Sequence, residues 1–521
     1  MIKILNKDNF NKEWIAILDF GSQYTQLIAR RIRELKIYSE ILPYYTDLSL
    51  LKEKSPKGII LSGGPDSVLN KNAPKISRNI FDLNIPILGI CYGSQLINKT
   101  MGGVVSNSTN AEFGNTVIGI RHNSQLFQGL PDKITAWMSH HDIVEKMPDG
   151  FQLAAVSSGE KIAAIVNEKK NIYGLQFHPE VTHTENGKDI LHNFTHRICK
   201  CSGNWTPSVF IDKTVNEIKN EIGKGKVVAG VSGGVDSMVA AILTHKAIKD
   251  QLHCIFIDTG LMRKNEGDEV RRIFKDFFEI KLYDYDYSKE FIGELKGIKD
   301  PEKKRKVIGN LFIKIFEEKA KGIGNVTHLL QGTLYPDIIE SISVQGPSAK
   351  IKSHHNVGGL PEKMELRLLE PLKNLFKDEV RKIGKSINIP ENILWRQPFP
   401  GPGLAIRVIG EISSEKLHIL READEIIREE ILKEGLNKQL WQYFGILLPI
   451  KSVGVMGDLR TYDYSIVLRI VTSYDGMTAD WARLPYDLLG KISNRLINKV
   501  KGINRVLYDI SSKPPSTIEW E

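Results

Sequence analysis

A chain of 521 residues exceeds what one hydrophobic core usually organises and points to about three domains. Hydrophobic residues at 41% and charged residues at 26% are the balance of a globular chain in water, and no apolar run approaches the ~20 residues of a membrane span. Four scattered cysteines argue against a disulfide framework and make a cytoplasmic location the expectation, while a net charge of +9, from 71 basic and 62 acidic residues dispersed along the chain, argues for small anionic ligands rather than nucleic acid.

Residues 1–13 mix Lys with Asn and Asp and read as a short leader without a cleavage signal. From 14 to 205, β-rich runs at 15–19, 58–61 and 86–90 alternate with helical patterns such as 24–35, which predicts a mostly parallel sheet with helices on both faces. The Gly- and Pro-punctuated stretch 201–207 marks a boundary. A second βα alternation opens at 227–231, continues through 254–258 and fills 206–396. The segment 397–403, QPFPGPG, cannot continue a helix and starts a third region, 397–521. The expected architecture is α/β, with two doubly wound parallel-sheet domains followed by a smaller α+β domain. Cys199 and Cys201, without a tetrahedral partner set, read as ordinary cysteines rather than a zinc site.

In the first domain, residues 89–93, GICYG, follow an apolar strand and precede a helical pattern, the spacing of a G-x-nucleophile-x-G elbow with Cys91 in place of serine. A thiol at a helix N-terminus has its thiolate favoured by the dipole, although the elbow alone also fits a buried structural cysteine. Residues 176–180, QFHPE, end a strand-like run and supply a base, His178, and an orienting carboxylate, Glu180, on one side of an extended chain. Together the two motifs resemble the Cys-His-Glu triad of class I glutamine amidotransferases. That resemblance implies glutamine hydrolysis through a Cys91 thioester, with backbone N–H groups of Gly64 and Tyr92 as the oxyanion hole and with Gln95, Ser139, His140 and Asp142 at glutamine-binding positions. His141 stands where members of that family often carry glycine.

In the second domain, an apolar strand runs into Ser232, Gly233, Gly234, Val235, Asp236 and Ser237 and then a helical pattern. Exposed backbone N–H groups, two hydroxyls and a helix N-terminus make phosphate the natural ligand. The loop is not the kinase-type phosphate loop; it resembles the SGGxDS loop of enzymes that split ATP into AMP and pyrophosphate, which implies ATP as co-substrate and Mg²⁺ at Asp236. Further on, Asp337, Glu340 and Lys352 fall in carboxylate-, lysine- and glycine-bearing segments that read as a mobile lid over the phosphates. The adjacent His354 and His355 diverge too much to suggest a metal site.

Both signatures in one chain, with KSHHNVGGLP at 352–361, PFPGPGLAIRV at 398–408, SVGVMGD at 452–458 and KPPSTIEWE at 513–521, resemble the glutamine-hydrolysing GMP synthases over nearly the whole length. The resemblance implies amination of XMP, adenylated by ATP, with ammonia drawn from glutamine. It places the XMP contacts at Pro400, Gly401, Pro402, Gly403, Arg460, Arg505, Lys513, Ile518 and Glu519, and makes the third domain the dimerisation domain of a homodimer. Two other readings keep the adenylating loop and change the acceptor. An amide-forming ligase such as NAD synthetase lacks reason for the PGPG turn and the KPPSTIEWE end, and a tRNA-modifying enzyme would carry a clustered basic surface with interleaved aromatics.

Overall fold

The computed structural model describes residues 13–121, 124–342, 366–456, 458–473 and 478–521, with the side chains at 108–110, 339–342 and 456 undescribed. It divides into two compact units, one through Phe210 and one from Ile211 to Glu521. Among the described residues no helix is long and apolar enough to cross a membrane.

The first unit is built on strands β1 Trp14–Asp19, β2 Tyr38–Pro43, β3 Gly58–Leu61, β4 Ile87–Ile90, β5 Val104–Ile120, β6 Lys133–Lys146, β7 Gln152–Ser157, β8 Ile162–Asn167 and β9 Ile172–Leu175. They form one sheet in the order β2-β1-β3-β4-β9-β8-β7-β5-β6. The half from β2 to β9 is parallel, as expected. Its strands are continuous apolar runs; every residue of β3 and β4 is buried, the pattern of strands covered on both faces. The other half is antiparallel, which the βα alternation did not foretell. There β6 alternates exposed and buried residues, the period of a strand with one face in the core. The strand order reverses at β1, between β2 and β3, so the carboxyl ends of β1, β3 and β4 surround the crevice where such sheets bind ligands.

The second unit opens with β10 Lys226–Gly230, β11 Leu252–Asp258, β12 Leu282–Asp286, β13 Val326–Leu330 and β14 Arg367–Leu369. The order β12-β11-β10-β13-β14 is parallel throughout, with its reversal between β10 and β13. The rest is α+β: helix Ser414–Lys433, the long antiparallel hairpin of β15 Gln442–Met456 and β16 Leu459–Thr472, the short β17 Asp480–Trp481, helix Tyr486–Lys499, and β18 Ile503–Tyr508, parallel to β16. Residues of both regions share one buried cluster, in which Val228, Ile255 and Ile257 join Leu417, Leu420, Ile427, Ile466 and Leu468. Each such side chain contributes ~1.5–3 kcal/mol when fully buried, so this packing holds the parallel sheet and the terminal α+β region together.

The seam between them lies at the Pro-Gly turn. Gly403 has φ +64, and a Cβ there would stand 2.4 Å from the carbonyl oxygen of Leu261, the residue that follows β11 by three. Leu404 N–H donates to that same oxygen at 2.8 Å. Only glycine lets the turn press this closely onto the loop after β11.

Candidate functional site

Cys91 sits between β4 and helix Tyr92–Thr100 with φ +51 and ψ −106, a conformation that costs a residue with a Cβ ~1–3 kcal/mol. The flanking glycines make the turn possible: a Cβ on Gly93 would lie 2.3 Å from the Leu61 carbonyl oxygen, and one on Gly89 would meet Gly93 at 2.6 Å. The buried thiol faces the Ser139 carbonyl oxygen at 3.7 Å and the Gln176 side-chain amide at 3.8 Å. The N–H groups of Gly64 and Tyr92 donate to no acceptor among the described residues. Gly64 again has no room for a side chain, since a Cβ there would stand 2.9 Å from the Phe20 carbonyl oxygen.

His178 follows β9 and is buried, as is Glu180. Its Nδ1 and Glu180 Oε1 are 2.8 Å apart. Burial opposes the charged imidazolium, but the Glu180 carboxylate and hydrogen bonding with Cys91 and Glu180 outweigh it and hold His178 well above its ordinary value. Tyr24 packs edge-on against the ring at 5.0 Å between centroids, and the Thr184 hydroxyl holds the backbone there by donating to the His178 carbonyl at 2.7 Å. The structure therefore brings Cys91, His178 and Glu180 together as one array.

The expected glutamine-binding residues converge on the same place with different tasks. Gln95 donates to the Asp142 carbonyl at 2.9 Å and to Gln176 Oε1 at 3.2 Å. Asp142 accepts from the Ser67 hydroxyl at 2.5 Å and from Asn107 at 3.4 Å. His140 points into the protein, with Nδ1 2.9 Å from the Asp142 carbonyl and Nε2 3.3 Å from Glu112; burial, partly opposed by Glu112, lowers its pKa. His141 is exposed and meets Phe113 edge-on. Gln176, Ser67 and Thr184 were not singled out from the sequence. Gln176 carried a signal, since alternation along 176–180 sets it on the side of His178 and Glu180.

At the switch point of the second sheet, Gly233 has φ +78 and Gly234 caps helix Val235–Ile248. The N–H groups of residues 232–234 donate to no protein acceptor among the described residues, and the Ser232 side chain is exposed. Ser237 donates to the Gly234 carbonyl at 3.0 Å. The turn after β13 presses against the loop: a Cβ on Gly332 would lie 3.0 Å from Asp236 C and Ser237 N. Asp236 is engaged by Lys377, whose Nζ lies 2.7 and 2.6 Å from its two oxygens. Arg396 ties the loop to its surroundings, donating to the Gly233 carbonyl at 3.0 Å and pairing with Glu269 at 2.5 Å.

Of the expected lid residues, Asp337 accepts the Leu334 N–H at 2.9 Å and caps the start of helix Tyr335–Ile342. Glu340 lies on that helix with its side chain outside the described residues, as does Lys352 altogether. Among the described residues no cluster of three or more His, Cys, Asp or Glu side chains is arranged for a metal ion.

The expected acceptor residues fall into two groups. Pro400, Gly401, Pro402 and Gly403 make the turn against Leu261, and from its end Arg407 reaches Glu519 at 2.7 Å. Ile518 packs on Phe444, Ile446 and Val467. Near them lies Arg263, fully buried, facing Asp424 at 3.4 Å and lying over the Phe399 ring; burial pushes its pKa down to about 10 against the pull of Asp424. In the second group, Arg505 on β18 donates to Ser452 at 3.2 Å, Lys513 forms a backbone bridge with Ala479, and Arg460 is exposed at the hairpin end opposite Val455.

A raised His178 pKa carries a sign for stability. The contribution of charged His178 beside Glu180 is fully present below the ordinary histidine value of about 6.5 and is lost as pH rises through the raised folded value. The stability difference between the protein and His178→Gln, followed by denaturant unfolding of the first unit, is therefore expected to be largest at acidic pH and to shrink towards alkaline pH. A difference that stays flat or grows with pH contradicts the charged pair.

Comparison with known proteins gives three family matches: Glutamine amidotransferase class-I over residues 16–198, NAD synthase over 208–307, and GMP synthase C terminal domain over 429–520. The chain is 54% identical to the glutamine-hydrolysing GMP synthase of Clostridium tetani, over 98% of this chain and 100% of the relative. It is 55% identical to that of Brachyspira hyodysenteriae, over 98% and 99% of the two chains. Identity of this extent, spanning both units and the terminal α+β region, means that the chain belongs to the family of glutamine-hydrolysing GMP synthases, ligases with glutamine amidotransferase activity.

Proposed function

We propose that the chain converts XMP, ATP, glutamine and water to GMP, AMP, pyrophosphate and glutamate in the cytoplasm, with residues 14–205 as glutaminase, 206–396 as the ATP-using region and 397–521 as the acceptor and subunit-contact region. The observation that carries this reading is the buried Cys91, His178 and Glu180 array, in which a strained thiol faces an imidazole that its carboxylate partner keeps charged.

In the glutaminase, Cys91 Sγ attacks the side-chain amide carbon, and the N–H groups of Gly64 and Tyr92, which lack acceptors among the described residues, take the developing oxyanion. His178 delivers a proton to the departing ammonia and then takes one from the water that opens the thioester. Glu180 holds the ring. Gln95, Ser139, His140 and Asp142 shape the glutamine pocket around the thiol.

In the second unit, residues 232–237 hold the ATP phosphates. The purine C2 oxygen of XMP attacks the α-phosphorus and pyrophosphate leaves; ammonia then adds at C2 and AMP departs. Asp337, Glu340 and Lys352 act at the lid, and Pro400, Gly401, Pro402, Gly403, Arg460, Arg505, Lys513, Ile518 and Glu519 at the acceptor. Mg²⁺ fits this loop, because it takes one or two carboxylates and completes its shell with phosphate and water oxygens. Asp236 would supply the carboxylate, and Lys377 pairs with it. When bound, the ion neutralises charge on the triphosphate. The homodimer reading is supported by the β15–β16 hairpin, where Ile450, Val455, Leu459 and Tyr462 are between 63% and 74% exposed.

Three outcomes test these assignments. Cys91→Ala is expected to lose GMP formation from glutamine and keep it from ammonium; glutamine-fed synthesis by the variant contradicts the nucleophile. Asp236→Asn is expected to raise the Mg²⁺ concentration for half-maximal ammonium-fed synthesis about tenfold, and an unchanged requirement rules out its role. By sedimentation equilibrium the protein is expected to be a dimer that Val455→Lys with Leu459→Lys converts to monomers; a monomeric parent, or a dimer that survives both lysines, places the contact elsewhere.

A further inference from the structure

Three fully buried cations converge on the end of the chain. Lys304, on helix Pro301–Ile323, donates to the carbonyls of Ala405 at 3.1 Å and Val408 at 2.8 Å and to the Glu521 carboxylate. Arg469, on β16, donates to the carbonyls of Ser511 at 2.7 Å, Thr517 at 2.9 Å and Ile518 at 3.3 Å. Arg407 forks onto Glu519 through Nε at 3.1 Å and Nη2 at 2.7 Å. Residues 517–521 are thus built into the protein by side chains that have no solvent to fall back on.

Among these three, Arg407 holds the carboxylate assigned to the acceptor. Its guanidinium lies over the Phe444 ring at 3.7 Å, which fixes the plane of the fork. Its remaining nitrogen, Nη1, stands 4.0 Å from Asp424 and makes no hydrogen bond, and the Asp424 oxygens and Arg263 Nε and Nη2 also lack hydrogen-bond partners among the described residues although buried. Glu519 is therefore the one carboxylate to which Arg407 is hydrogen-bonded among the described residues, in the two-point geometry that fixes its position. A carboxylate that recognises a ligand works best when it is held before the ligand arrives.

We propose that Arg407 is a positioning residue for the acceptor nucleotide, acting through Glu519: it presents the carboxylate in a fixed place and leaves the bond-making steps to other groups. This rests on the reading of Glu519 as an XMP contact. The test uses the full chain, ammonium as nitrogen source and saturating ATP-Mg²⁺, and compares Arg407→Lys, Arg407→Met, Glu519→Gln and the Arg407→Met, Glu519→Gln pair. Arg407→Met and Glu519→Gln are each expected to raise KM for XMP about tenfold or more with kcat within about threefold. Arg407→Lys, which keeps the charge and loses the fork, is expected to fall between the parent and Arg407→Met. The pair is expected to be no worse than its worse member, because both changes remove one interaction. Effects that multiply in the pair, or a parental KM in both Arg407 variants while Glu519→Gln raises it, overturn the inference. A parental KM in Glu519→Gln overturns the reading of Glu519 itself and the inference with it. If Arg407→Met does not fold, Arg407→Lys decides: a raised KM supports the positioning role, and a parental KM with only a lowered melting temperature overturns it.

Discussion

The structure depends on backbone meeting backbone at the carboxyl ends of parallel strands, where a single added carbon has no place. Gly93 lies against the Leu61 carbonyl, Gly332 against Asp236 and Ser237, and Gly403 against the Leu261 carbonyl. Each contact sets a different element of the fold. The first lies beside Cys91, which has positive φ at the start of a helix, the second brings the turn after β13 onto the loop 232–237, and the third docks the Pro-Gly turn beside β11. Parallel strands make this arrangement available twice, because each delivers its chain to the same edge of the sheet and a helix then starts there with its N–H groups free.

Buried charge is the second organising element, and it appears where a side chain must not wander. Glu180 is fully buried with only one oxygen hydrogen-bonded among the described residues, so its pairing with His178 has to offset the desolvation of both groups. In the second unit Lys304, Arg407 and Arg469 are equally buried and all point to the end of the chain. Removing one partner of such a pair typically costs ~3–5 kcal/mol, which explains why they define rigid geometry and why conservative variants are the informative ones.

What was legible in the sequence was where backbone must come close. The GICYG and SGGVDS strings combine small residues with a cysteine or with two serines and an aspartate, and they stand at strand ends as the apolar runs before them imply. The antiparallel half of the first sheet was not legible from the βα alternation, because β5 and β6 are long half-polar strands whose partners are set by tertiary packing. Nor were Arg407, Lys304 and Arg469. An arginine in a strand or turn reads as a surface residue until the rest of the fold covers it, and only the folded chain pairs it with Glu519 or with the carbonyls of residues 511–518.

The proposed chemistry is thus divided between a thiol site in one unit and an adenylating loop in the other, each assembled at its own strand ends. The most direct measurement is exchange of labelled pyrophosphate into ATP by the Cys91→Ala protein, with Mg²⁺ present and neither glutamine nor ammonium added. Exchange is predicted to appear when XMP is supplied and to be absent without it. A variant that forms GMP from ammonium yet shows no XMP-dependent exchange would contradict an adenylated acceptor formed ahead of amination.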